Sequence, residues 1–325
     1  MVRIFHSFLP RILALALFPL LFSCGDDGPV VPKEENKMTL SFGYDSLVFT
    51  GYAPLQDKPV KVYYVIPETG NLKTMPILFA MHGADRNGPY QIDTWRSIVE
   101  DKGVILIAPQ FTKALYPEIN YQYGGVSYSS SSFVAREEEL WTYQIIESLF
   151  DYFKENTGNR SKTYDIWGHS AGSQFTHRFL LFMENARVRR AVSSNAGSYT
   201  FPSPDGVSYN GKSFGYPYSI KDAGRTKEQL AKYFARDLTV HLGKADTATT
   251  REQDSQLPVS DGAEAQGKCR YERGKNFYAT ARHIADSVGL PFNWKLVEVP
   301  GVPHSSRRMV QTGSTGAAYL MYYAD

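Results

Sequence analysis

Tyr164-Asp165-Ile166-Trp167-Gly168-His169-Ser170-Ala171-Gly172-Ser173 is the stretch whose reading decides the fold. A short β-favouring run enters Gly-x-Ser-x-Gly, and Phe175, Phe179, Leu180 and Met183 then recur at helical spacing. That pattern spells strand, sharp turn, helix. Such a turn holds a serine in a strained conformation above the end of a sheet. Its neighbours must be small, because a Cβ at Gly168 or Gly172 would strike the adjoining strand or helix. Ser170 is therefore the candidate nucleophile. The same pentapeptide also serves tight turns that merely need their glycines, so its weight comes from the flanking strand and helix.

Outward from this turn, strand and helix patterns alternate. Residues 75–81 are almost wholly apolar, as a strand buried on both faces should be, and they end in His82-Gly83-Ala84. A helical stripe over 92–101 (Ile92, Trp95, Ile98, Val99) leads to a second buried run at 104–109. Strand signals recur at 189–194, 238–243 and 294–299, and helices are expected over 138–153, 273–288 and 316–323. Residues 60–66 and two alternating stretches within 38–53 supply leading antiparallel strands. The alternation predicts an α/β fold with a mostly parallel, doubly wound central sheet and helices on both faces.

Composition narrows the function. The 325 residues are 42% hydrophobic and 14% aromatic, enough for one large core in a single domain of roughly 300 residues. A formal charge of +2 with acid and base interspersed leaves no nucleic-acid footprint. The chain has two cysteines, Cys24 and Cys269; Cys24 falls in the N-terminal segment, and Cys269 alone makes no internal disulfide. Neither a cysteine cluster nor a His-Glu-x-x-His motif is present, so no metal is expected.

Residues 1–23 carry Arg3 and Arg11 and then an apolar run over 12–22, too short to span a bilayer, which takes about 20 apolar residues. This reads as a signal peptide. Its end, Leu21-Phe22-Ser23-Cys24-Gly25, resembles the bacterial lipoprotein box, in which the chain is cut before the cysteine and the cysteine is lipidated. The resemblance implies lipidation at Cys24; the polar, Pro-containing run that follows reads as a flexible tether over 24–37, ahead of a catalytic domain over 38–325. It also implies a location at the cell envelope, held to a bacterial membrane by lipid alone, the outer membrane being favoured. Asp26-Asp27 resembles a surface-export signal, so the domain is expected to face either periplasm or cell surface.

Two tyrosine-rich segments break the strand and helix rhythm. Residues 111–134 include Tyr116, Tyr121, Tyr123 and Tyr128, and residues 197–223 include Tyr199, Tyr209, Tyr216 and Tyr218. Both follow strand ends, where α/β sheets bind ligands. Tyr121, Tyr123 and Tyr199 are candidate substrate contacts that would stack on a sugar or an aromatic acyl group. Plain surface loops and the packing of a long crossover are the competing readings.

A serine hydroxyl needs an imidazole to take its proton, and that imidazole needs a carboxylate to fix its tautomer. Among seven histidines only His304 lies in a loop after a late strand, and Asp246 follows the 238–243 strand directly. Asp254 and Asp261 lie further out in a polar loop. Ser170, Asp246 and His304 thus stand in the order nucleophile, acid, base. The oxyanion donors expected are the backbone N–H groups of Ala171, at a helix start, and Ala84, in the loop after the 75–81 strand.

Four blocks now stand in order: His82-Gly83 with Asp85-Arg86-Asn87, Gly168-His169-Ser170-Ala171-Gly172, Leu242-Gly243-Lys244-Ala245-Asp246, and Val299-Pro300-Gly301-Val302-Pro303-His304. Together they resemble the α/β-hydrolase superfamily, and within it esterases related to polyhydroxybutyrate depolymerases and feruloyl esterases. The resemblance implies cofactor-free hydrolysis of carboxylic esters, with a small or glycan-linked acyl ester as substrate. Secreted depolymerases of that kind often carry disulfides and substrate-binding modules, which this chain lacks. Two rivals remain from the sequence: a serine peptidase of the same fold, and a non-catalytic surface lipoprotein that binds glycans through its aromatic loops.

Overall fold

The computed structural model describes residues 40–324. The signal, Cys24 and the tether expected from the sequence lie outside them. Eight strands form one sheet: β1 (Gly43–Phe49), β2 (Val60–Ile66), β3 (Ile77–Met81), β4 (Ile105–Gln110), β5 (Tyr164–His169), β6 (Val188–Ser194), β7 (Leu238–Gly243) and β8 (Lys295–Val299). Their order across the sheet is β1-β2-β4-β3-β5-β6-β7-β8. β2 runs antiparallel to β1 and β4, and every other pairing is parallel. The mostly parallel, doubly wound sheet read from the sequence is the one observed.

Period-two alternation assigns the strand side chains to two layers. Phe79, Ile107, Ile166 and Val240 face a layer built on α2 (Gln144–Thr157), α3 (Ala171–Phe182), α4 (Lys227–Phe234) and α5 (Arg270–Ser287). Leu78, Leu106, Trp167 and Val192 face the opposite layer, made by α1 (Gly88–Lys102), α6 (Ser306–Gln311) and α7 (Ala317–Tyr322). There Trp95 of α1 meets Trp167 edge to face, with ring centroids 5.4 Å apart. Among the described residues no helix is long and apolar enough to cross a membrane.

Three helix starts differ from expectation by more than one residue, α5 beginning at Arg270 rather than 273. α1 begins a turn before Ile92, because the Asn87 side chain accepts the Tyr90 N–H and Pro89 occupies the first turn, where its missing donor costs nothing. The helix expected from residue 138 begins at Gln144. Residues 138–140 form a tight 3₁₀ turn, after which the Trp141 indole donates to the Arg136 carbonyl at 2.9 Å and Thr142 N–H to Gly124 O at 2.9 Å. These bonds hold the chain in a bend that an earlier helix start would break.

Candidate active site

Ser170 sits between β5 and α3 at φ 57°, ψ −116°, a conformation that L residues avoid. The fold imposes it. A Cβ on Gly168 would overlap the Gly172 carbonyl, and one on Gly172 would overlap the Met81 carbonyl at the end of β3. Both glycines are thus demanded by close backbone approach. Ser170 N–H donates to Ser194 O at 3.0 Å, and Ser170 O accepts the first helical bond, from Gln174, at 3.0 Å.

The loop after β3 faces this serine: a Cβ built on Gly83 would lie 3.8 Å from Ser170 Cβ. The loop is braced from behind. Phe111 N–H donates to His82 Nε2 at 3.0 Å, which fixes the tautomer and leaves Nδ1–H to donate to Gly83 O at 3.0 Å. Burial pushes the His82 imidazole down to about 3, so it stays neutral. The Tyr121 hydroxyl donates to His82 O at 2.6 Å, and Arg86 lies over the Tyr121 ring while donating to the carbonyls of Phe111 and Tyr116. The N–H groups of Ala84 and Ala171 have no acceptor among the described residues. Both are free to donate.

Asp246 and His304 arrive from the loops after β7 and β8. Those loops are tied together by Lys244 N–H to Val299 O and Ala245 N–H to Val302 O, each 3.0 Å. Gly243 serves this tie, because a Cβ there would overlap the Val302 carbonyl. His304 Nδ1 donates to Asp246 Oδ2 at 2.7 Å. The His169 ring lies 4.5 Å from the His304 ring and is held neutral, its pKa driven well below the ordinary value by burial first and then by the nearby charges of His304 and Arg270.

Arg270, at the start of α5, is a residue that the sequence reading missed. Its side chain is buried, with Nη1 2.5 Å from Asp254 Oδ2 and 3.5 Å from Asp246 Oδ1. Burial alone would raise the Asp254 pKa, but the hydrogen bonds from Arg270 and the Gln256 N–H hold it below the usual value. Asp254, read from sequence as lying further out, is therefore coupled to Asp246 through Arg270. The spacing between Asp254 and Arg270 carries no local signal of this pairing.

Ser170, Asp246, His304 and Ala84 all line one cleft of about 940 Å³. Thr247, Ala248 and residues 251–256 form one wall, and Gln256 donates to Asp85 Oδ1 at 2.8 Å. The position of that segment after a strand end was the available clue.

The proposed tyrosine contacts are not there. Tyr121 and Tyr199 are fully buried and Tyr123 nearly so, and none of the three lines the cleft. Tyr121 stacks on His82, Tyr123 donates to Glu118, and Tyr199 stacks on Phe277 with centroids 4.6 Å apart. Their rings contribute more by filling gaps between the sheet layer and the long crossovers than they would in water. The same burial removes these residues from any glycan-stacking platform.

A serine at a strained strand-to-helix turn and a hydrogen-bonded carboxylate and imidazole in one cleft, with the free Ala84 N–H in its lining, define the serine hydrolase class of site. Comparison with solved structures agrees. The chain is similar to poly(aspartic acid) hydrolase-1 from Sphingomonas sp. KT-1, with 35% identity over 87% of this chain and 100% of that one and a TM-score of 0.77. A poly(3-hydroxybutyrate) depolymerase from Bordetella parapertussis matches at 26% identity over 83% and 87% of the two chains, TM-score 0.74. An acetyl xylan esterase from Aspergillus awamori shares the fold at 14% identity over 82% and 95%, TM-score 0.50. No family model and no curated relative matches the chain. The protein belongs to the α/β-hydrolase superfamily and is a hydrolase.

Proposed function

We propose that the protein is a serine carboxylic-ester hydrolase acting on small or glycan-linked acyl esters through an acyl-enzyme. Ser170 Oγ attacks the ester carbonyl carbon and passes its proton to His304 Nε2, while Asp246 holds Nδ1–H. The oxyanion takes hydrogen bonds from Ala84 and Ala171 N–H, each such donor being worth about 100- to 1000-fold in rate. His304 returns the proton to the leaving alcohol, and the acyl group stays on Ser170. Water, deprotonated by His304, then attacks the acyl carbon; the bond to Ser170 Oγ breaks as His304 returns the proton to Oγ, and the acid leaves.

The observation that carries this reading is the 2.7 Å bond between His304 and Asp246 in the cleft that contains the strained Ser170. Wild-type protein should hydrolyse p-nitrophenyl acetate and Ser170→Ala should not. Equal rates for the two would sink the assignment. Amide hydrolysis is the second reading, favoured by the 35% identity to a poly(aspartic acid) hydrolase, whose named substrate is a polyamide; a peptide panel separates the two.

The location belongs to the proposal as well. Lipidation at Cys24 would hold the domain at the bacterial envelope, a reading supported by the sequence around the cysteine. Cys24→Ala should move the protein from the membrane to the soluble fraction, and unchanged sedimentation with membranes would overturn it.

A further inference from the structure

Ligand clefts of this size are ordinarily lined mostly by apolar and aromatic side chains. Here the described residues that line the cleft include no Val, Leu, Ile, Met, Phe or Trp. Tyr90 is the one aromatic ring, the histidines aside, and it is partly exposed. The remainder are small residues, amides, hydroxyls and charges. An acyl chain of several carbons would therefore find nothing to bury against.

The charges are also lopsided. Asp85, Asp246, Glu252 and Asp254 line the cleft against Arg251. Arg270 lies behind the wall and is engaged by Asp246 and Asp254. That leaves Asp85 and Glu252 against a single Arg251, whose Nε donates to the Leu257 carbonyl at 3.3 Å. Asp85 is next in the chain to the oxyanion donor Ala84, so a carboxylate close to the scissile bond would meet like charge.

From this lining we infer that the substrate is an uncharged or cationic chain rich in hydroxyl or amide groups. Its acyl part is short, and neither a medium-chain acyl ester nor a polyanion is processed well. The inference rests on the Ser170 reading above and narrows it: of the acyl groups the resemblance allows, feruloyl and long hydroxyalkanoyl groups fit this cleft worst.

The test has two arms on the intact catalytic domain. In the first, kcat/KM is measured for p-nitrophenyl acetate, butyrate and octanoate. A pocket that buried each methylene would gain about fourfold per carbon; the expected result is no gain, or a fall. In the second, an acetylated neutral oligosaccharide is compared with an acetylated uronic-acid oligosaccharide and with poly(aspartic acid). The neutral substrate should be favoured by about tenfold at low salt. The gap should narrow by about threefold with Glu252→Gln, and also on raising the ionic strength. A preference for octanoate, or for either polyanion, with Ser170 still labelled by a fluorophosphonate, would overturn the substrate class while leaving the hydrolase reading intact. Absence of both turnover and labelling would overturn the two together.

Discussion

Arg270 Nη1 stands 3.5 Å from Asp246 Oδ1, and both side chains are all but sealed from solvent, at 1% and 2% exposed. The same nitrogen binds Asp254 on the cleft wall at 2.5 Å, while His304 occupies the other oxygen of Asp246. One guanidinium therefore separates two carboxylates and anchors the wall of the cleft to Asp246.

Removing it should leave Asp246 and Asp254 facing each other without a counter-charge. Breaking a buried pair typically costs about 3–5 kcal/mol; with Asp254 partly exposed, Arg270→Met should lose about 3 kcal/mol in denaturant unfolding. It should also lower kcat, and Arg270→Lys should restore part of both. A Met variant with unchanged kcat and midpoint would show that Arg270 positions nothing.

Acid should weaken the fold through its neutral histidines. His241 accepts from the Ser194 hydroxyl at 2.8 Å and donates to Thr315 O at 2.8 Å; burial pushes its pKa down to about 4, the bond to Thr315 opposing. The unfolded chain takes up that proton near pH 6.5, about 1.4 kcal/mol being lost per pH unit thereafter. The histidine contribution is thus intact above about pH 6.5 and is lost as pH falls toward about 4, His82 extending the window to about 3. Urea midpoints should be flat above neutrality and fall steadily below it. Histidine ring signals for His241 and His82 should not titrate above about pH 5. Titration of both near 6.5 would contradict their buried, neutral state.

Tyr121 offers a test of bracing against substrate stacking. Tyr121→Phe removes the 2.6 Å bond to the His82 carbonyl, behind the loop that follows β3. Losing a buried hydrogen bond and leaving that carbonyl unpaired should cost about 1–2 kcal/mol. Because the ring does not line the cleft, kcat should fall with KM little changed. A rise in KM at constant kcat would restore the stacking role.

The sequence revealed most where local chemistry and global fold agree. Gly168 and Gly172 mark backbone contacts, apolar runs such as 75–81 mark strands buried on both faces, and Asp246 and His304 each follow a strand end. Those signals are local. What escaped was set by tertiary packing: the Asp254–Arg270–Asp246 relay joins residues with no shared motif, and the bend before Gln144 depends on Gly124 far upstream. Tyrosine-rich composition misled for a physical reason. A tyrosine can cover a large apolar gap and still satisfy its hydroxyl, as Tyr121 does on His82 O and Tyr216 on Tyr123 O, so such segments suit buried crossovers as well as ligand walls.

The central claim is that Ser170 is the nucleophile. Wild-type protein treated with a fluorophosphonate should gain one covalent adduct, located by peptide mass spectrometry on Ser170, with loss of esterase activity in step with labelling. Blocking by a slow ester substrate should protect it, and His304→Ala should label far more slowly. An adduct on another residue, or full activity after complete labelling of Ser170, would contradict the account.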